Sequence, residues 1–295
     1  MFHFALRLAR AAALLMAAVV AIACVGSAGA APSGSPSDKP IDPDQVVFRV
    51  SWDGGFVTPE MLLGRLPIIV VYADGRVITQ GPQILIYPGP LMPNLQEHTL
   101  SQAALDRLIE LARDKDLLKT IHYEFPSIAD APDTVLEINV DGESYRVSAY
   151  ALAEAVDLEV PSGDVMLDPA EIEGRAALRE FIDALTGIPA SDFVDEEHPV
   201  TIETLRIYAA KAVVVPNSEL PGEQPAIDWP LEDLAAAGEA VENSPIDVRC
   251  QVIEGGDLAT VLPLLEAANS LQTFQSEAEL YSFTVRPLLP GESGC

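Results

Sequence analysis

The chain has 295 residues, 49% of them hydrophobic, and carries 45 acidic against 17 basic side chains for a formal charge of −28. A field of that sign repels phosphate backbones and anionic headgroups, which argues against nucleic acid as a partner and makes a solvated acidic surface the ordinary use of the charge. The apolar content suffices for a sizeable core, and the length suits one large or two medium domains.

Residues 1–23 hold Arg7 and Arg10, then thirteen apolar residues from Ala11 to Ala23, and no acid occurs before Asp38. A basic region followed by a short apolar run is the pattern of a secretory signal peptide, and the run is shorter than the about 20 residues a membrane span needs. Removing the two arginines takes the formal charge from −28 to −30. The residues "AIAC" at 21–24 resemble the lipobox of bacterial lipoprotein precursors, with Ala23 before the cysteine fitting well and Ala21 standing where the pattern prefers Leu. The resemblance implies that Cys24 is diacylated, becomes the mature N-terminus and anchors the protein to the outer face of the cytoplasmic membrane. Two acyl chains on one residue meet the condition for stable anchoring. The alternative is cleavage after Ala28–Ala30, "AGA", which obeys the small-x-small rule, discards Cys24 and releases the protein outside the cell. The position of Cys24 at the end of the apolar run favours lipidation. Residues 24–44, rich in Gly, Ser, Ala and Pro, read as a flexible linker with a root-mean-square reach of roughly 25 Å.

Residues 45–190 predict one α+β domain. Asp74-Gly75 and Asp141-Gly142 each sit between β-rich runs, and Asp-Gly suits the positive φ angles of a type I′ turn. Each such hairpin is followed by an amphipathic helix. The first lies near 100–113, with Leu105, Leu108, Ile109 and Ala112 at helical spacing and Ser101 or Thr99 as its cap. The second begins at Asp168-Pro169-Ala170-Glu171, which supplies an N-cap, a proline at the first helical position and an acid for the first turn. Its apolar face is Leu178, Phe181, Ile182 and Leu185, and Gly187 with Pro189 stops it. An antiparallel sheet covered on one face by both helices is the simplest way to bury the two stripes.

Residues 200–295 predict a smaller α+β unit, either a second domain or an extension of the first sheet. It has a long strand at 201–215, a short helix at Leu231–Ala237, a strand around Cys250, a helix near 258–269 that contains Pro263, and a last strand at 279–290. With Cys24 lipidated or removed, Cys250 and Cys295 remain as an even pair, which in an oxidising compartment predicts a disulfide. Closing a loop of about 46 residues contributes roughly 4 kcal/mol by the chain-entropy argument. The rival role, Cys250 as a nucleophile, needs a base that "DVRCQVIEG" does not supply.

The remaining candidates for chemistry are few. His98, His122 and His198 lie in separate segments without the spacing that brings two imidazoles to one metal, so no metal site and no cofactor are expected. His122 can sit beside Glu124 on an exposed strand. No G-x-S-x-G, S-x-x-K, phosphate loop or G-x-G-x-x-G occurs. Two stretches suit partner binding instead: "SWDGGFVTPEML", with Trp52 and Phe56 around a Gly-Gly bend, and the proline-rich "YPGPLMPNLQ" at 87–96, with Tyr87, Leu91 and Met92. Their ordinary structural use is a packed connection that covers a sheet edge. The combination of "SWDGGF", "YADGRV" and "RPLLPGESGC" resembles uncharacterised exported proteins of high-GC Gram-positive bacteria, which implies no activity and no site residues. The expectation is an exported, lipid-anchored envelope protein that binds a protein or small-molecule partner, a non-enzyme being favoured because no catalytic motif is found. The alternatives are an envelope hydrolase using dispersed carboxylates such as Asp53, Glu60 and Glu124, and an inhibitor or sensor acting through the 87–96 loop.

Overall fold

A computed structural model describes residues 42–125, 128–154, 168–212, 225–242 and 244–295, and residues 41–295 group as one compact unit. The expected signal peptide, Cys24 and all but the end of the expected linker lie outside the described residues. The described fold is α+β with two mixed sheets and few helices.

The larger sheet has eight strands. In chain order they are β1 (Val46–Gly54), β2 (Ile69–Tyr72), β3 (Arg76–Gln80), β4 (Leu95–Thr99), β5 (Ile121–Tyr123), β6 (Pro132–Val140), β7 (Glu143–Tyr150) and β8 (His198–Pro199). They lie side by side as β5-β7-β6-β1-β2-β3-β4-β8. The sheet is not purely antiparallel as expected, because β5 runs parallel to β7 at one edge. The connection between β6 and β7 is Asp141-Gly142, with both residues at positive φ and Val140 opposite Glu143. Between β2 and β3 only Gly75 has positive φ, and its N–H donates to the Tyr72 carbonyl at 3.0 Å. The type I′ geometry is therefore not adopted there, and a single left-handed glycine turns the chain.

Side chains alternate across β2, and the alternation sorts them into two cores. Ile69 and Val71 face one cluster with Phe48, Val50, Leu136 and Ile138, whereas Val70 and Tyr72 face the opposite one with Leu66, Ile78, Leu95 and Leu289. The first cluster is closed by α2 (Gln102–Asp114) and α3 (Pro169–Thr186), which contribute Leu105, Leu108 and Ala112, and Leu178, Phe181 and Leu185. Both helices start on side-chain caps: Ser101 accepts from the Ala104 N–H and Asp168 from the Ala170 N–H. Close approach of α3 to β5 needs Gly174, where a Cβ would overlap the buried Tyr123 hydroxyl. The next residue, Arg175, is fully buried, and its guanidinium donates to the carbonyls of Tyr123, Tyr150 and Ala151.

The second sheet comprises β9 (Thr204–Lys211), β10 (Ile227–Asp228), β11 (Glu239–Ala240), β12 (Val248–Glu254), β13 (Thr273–Ser276) and β14 (Glu279–Pro287), in the order β10-β13-β14-β9-β12-β11. One face, which bears Phe274 and Phe283, packs on α4 (Gly255–Ala267) through Leu258, Val261 and Leu265, and on Trp229. Pro263 lies inside α4. The helix expected at Leu231–Ala237 does not form. Asp233 closes a single turn there by accepting from the Ala235, Ala236 and Ala237 N–H groups, and Gly238, at positive φ, redirects the chain into β11.

The two sheets are tied together at the end of the chain. Leu289 enters the outer core of the first sheet, the Tyr72 hydroxyl donates to the Pro290 carbonyl at 3.3 Å, and Glu292 receives both Arg286 Nη groups at 2.7 and 2.9 Å. Arg286 in turn donates from Nε to the Arg65 carbonyl, and Arg49 of β1 approaches Glu292 at 3.3 Å. A disulfide joins Cys295 to the buried Cys250 on β12.

Candidate functional site

The bend after β1 builds an apolar cleft. Gly54 and Gly55 have φ of 65° and 84°, a conformation other residues rarely adopt, and a Cβ on Gly55 would press on Pro132. The bend is held on two sides. Arg65 Nη1 donates to the Gly54 carbonyl at 2.9 Å and the Trp52 carbonyl at 3.3 Å, and the Phe56 N–H donates to the Asp130 carbonyl at 2.9 Å. The chain then enters the short helix α1 (Pro59–Leu63), capped by the Thr58 hydroxyl. This fixed backbone leaves Trp52, Phe56 and Met61 exposed at 49%, 87% and 59%. They border a cleft of about 490 Å³ that also takes in Leu66 and Gln80, with Asp130 and Glu154 among its polar groups. That volume is in the range of small-ligand sites. Leaving a phenylalanine in water forgoes about 1.5–3 kcal/mol of burial, which an occupant of the cleft would recover.

The second expected binding stretch divides in two. Tyr87 is exposed, but Leu91 and Met92 pack against the core beneath α4, and the Leu91 N–H donates to the Ala268 carbonyl. The apolar exposure lies earlier in the loop than expected, at Ile84, Leu85 and Ile86.

The titratable candidates are dispersed. Asp53 pairs with Arg146 at 3.4 Å, Glu124 with His122 at 3.1 Å, and Glu60 stands in the first turn of α1. None of the three lines the aromatic cleft, nor the polar cavity of about 380 Å³ beside the C-terminal segment. In that polar cavity Asp44 is held by Arg76 at 2.7 Å and Glu97 lies 3.9 Å from His198. Burial alone would push the Glu292 carboxyl up, but the Arg286 hydrogen bonds and charge, the Leu289 N–H and Arg49 outweigh it and hold the group below the usual carboxylate range. Among the described residues no set of three His, Cys, Asp or Glu side chains could hold a metal ion.

The expected pairing of His122 with Glu124 forms, but its contacts with Ser148 and Asp133 were not legible in the sequence. His122 on β5 has the Ser148 hydroxyl 2.9 Å from Nδ1 and Glu124 3.1 Å from Nε2, and Asp133 Oδ1 stands 3.5 Å from Nδ1. Serine, histidine and acid are thus in line, but Ser148 is buried in the middle of β7 with strands paired on both sides. The ladders occupy the backbone N–H groups that an oxyanion hole requires, so the contact reads as an inter-strand tie. No helix among the described residues is long and apolar enough to cross a membrane. Comparison with protein-family models, with curated proteins and with solved structures gives no match for this chain.

Proposed function

We propose that this is an exported envelope protein, anchored through a lipid on Cys24, that works by binding and uses the Trp52–Phe56 cleft as its contact surface. The observation that carries the reading is the pair of exposed aromatics held on a rigid bend beside a cleft, because large apolar side chains left in water on a braced backbone mark contact surfaces. We read the Asp74-Gly75 and Asp141-Gly142 connections as hairpin turns that stiffen the sheet on either side of β1. The Cys250–Cys295 disulfide fits an oxidising compartment outside the cytoplasm. The surrounding negative charge selects occupants that are neutral or cationic as well as apolar.

Two measurements test this. Intact mass of the protein from membrane and medium fractions should show a mature N-terminus at Cys24 bearing a diacylglycerol, absent in Cys24→Ala; a soluble species beginning near Ala31 and unaffected by the substitution would refute the anchor. For the cleft, a photocrosslinking residue at Phe56 in the producing cell should give one discrete adduct, and the same residue at Gln102 on the solvent side of α2 should give none. Equal labelling at both positions would reject the cleft as the contact surface.

A further inference from the structure

Between Arg76 and Glu97 lie twenty residues without one charged or histidine side chain, in a chain carrying 45 acids. The middle of this window forms the loop that joins β3 to β4, and its base is fixed. The Gly81 N–H donates to the Asn94 carbonyl at 2.8 Å, Asn94 Nδ2 to the Pro82 carbonyl at 2.9 Å, and the Ser270 N–H to the Gly89 carbonyl at 2.8 Å. From this base the tip projects with Ile84, Leu85, Ile86 and Tyr87 exposed at 66%, 101%, 58% and 68%.

We propose that this tip seats the folded body on a neutral lipid bilayer. Ile84, Leu85 and Ile86 enter the boundary between headgroups and acyl chains, and Tyr87 lies at headgroup level. The inference rests on the envelope reading above but not on lipidation of Cys24.

The pattern of exposure selects the occupant. A sheet edge that accepts an added strand covers alternate side chains and leaves the rest in water. Here four in succession are exposed, and a fluid apolar phase meets all of them together. The lipid must be neutral, because the −28 charge elsewhere on the chain is repelled by anionic headgroups and the uncharged loop supplies no compensating cation. Insertion is shallow. Hydrocarbon gives unpaired backbone N–H and C=O groups nothing to bond to, so a loop that is not in a sheet stops where water still reaches its backbone. A tyrosine at the foot of the tip suits that depth, since amphipathic aromatics collect at membrane interfaces.

The test uses the compact unit 41–295 with its disulfide closed, so that no acyl chain contributes, and measures co-sedimentation with vesicles of pure phosphatidylcholine. The unit should partition onto these vesicles, and each of Ile84→Ser, Leu85→Ser and Ile86→Ser should weaken partitioning about tenfold with an unchanged far-ultraviolet circular dichroism spectrum. Adding a third of phosphatidylglycerol should weaken it further. With Leu85→Trp, emission should shift to the blue on the vesicles and be quenched by lipids brominated high on the acyl chain. Partitioning that is absent, or unchanged by Leu85→Ser, would overturn the proposal. So would concentration-dependent self-association, or binding to a protein, that Leu85→Ser abolishes while vesicles are ignored; the loop would then be a protein contact. Because the probe lacks Cys24, none of these results bears on the anchor.

Discussion

Cys295→Ser cuts the cross-link between the last residue and β12 without removing packed volume, since Cys295 is exposed and only its partner is buried. The disulfide spans a sequence separation of 45. Freeing that loop in the unfolded chain costs about 4 kcal/mol by the chain-entropy argument. For a body of this size each kcal/mol moves the midpoint of thermal unfolding by about 2–4 °C, so the variant should melt about 8–16 °C lower, provided unfolding is a single transition. Cys250→Ala should fall about 1 kcal/mol further, because it also leaves a small cavity beneath Tyr208 and Val248. Thermal unfolding followed by circular dichroism, with and without reductant, checks both numbers, and reduced wild type should coincide with Cys295→Ser. A shift under about 2 °C would refute the reasoning. The unfolded chain would then keep enough residual structure around the terminus to gain little freedom when the link is cut.

Two further predictions concern how the parts are joined. Glu292→Gln removes the charge that Arg286 and Arg49 share in a nearly dry site and should cost about 3 kcal/mol at pH 7. The Glu292 pKa is depressed in the folded state, so its stabilisation is complete above the ordinary glutamate value near 4.3 and is lost as pH falls through the lower folded value. Urea midpoints of wild type and variant should therefore converge between pH 5 and the onset of acid unfolding, and a gap that stays constant with pH would contradict this. Gly174→Ala should destabilise by about 2–3 kcal/mol because the buried Tyr123 ring cannot swing away from the new methyl. Tyr123→Phe in the same chain should restore only part of that in denaturant titrations, since the ring carbons also crowd the site.

The helices were legible because their signals are local. Ser101 and Asp168 cap where a cap must stand, and the apolar stripes of α2 and α3 meet the core that their spacing requires. The Cys250–Cys295 pair followed from parity and compartment. What escaped depends on distant residues. Strand β5 has three residues, too few for a pattern to state whether it runs with or against β7. The turn at Leu231–Ala237 carries alanines that favour a helix, but it must place Gly238 against β12, and the tertiary contact wins. At the candidate surfaces the ambiguity is of another kind. The run from Ile84 to Tyr87 has the composition of a buried strand, and the flanking Gly81-Pro82 and Pro88-Gly89 were the available sign that it joins no ladder.

Charge placement links the cleft and the loop. In a chain this acidic, a surface that must meet something apolar needs its own acids removed or paired, because every unpaired carboxylate carried into a contact must be desolvated. The loop does this by composition, with no charged or histidine side chain over twenty residues. The cleft does it only in part, for Asp130 and Glu154 stay in its lining while Asp53 is kept out. Asp53, between the exposed Trp52 and the Gly-Gly bend, is turned to the other face of β1 and pairs with Arg146, and Arg65 Nη1 donates to the Gly54 and Trp52 carbonyls. Alternation along the strand therefore separates a charged side chain from an aromatic one a single residue away. A one-residue slip of β1 against β6 would exchange Trp52 and Asp53, carrying the acid into the cleft and the aromatic onto the charged face. The register of β1, fixed by Phe48 and Val50 in the helix-covered core, is in this sense what keeps Asp53 out of the cleft.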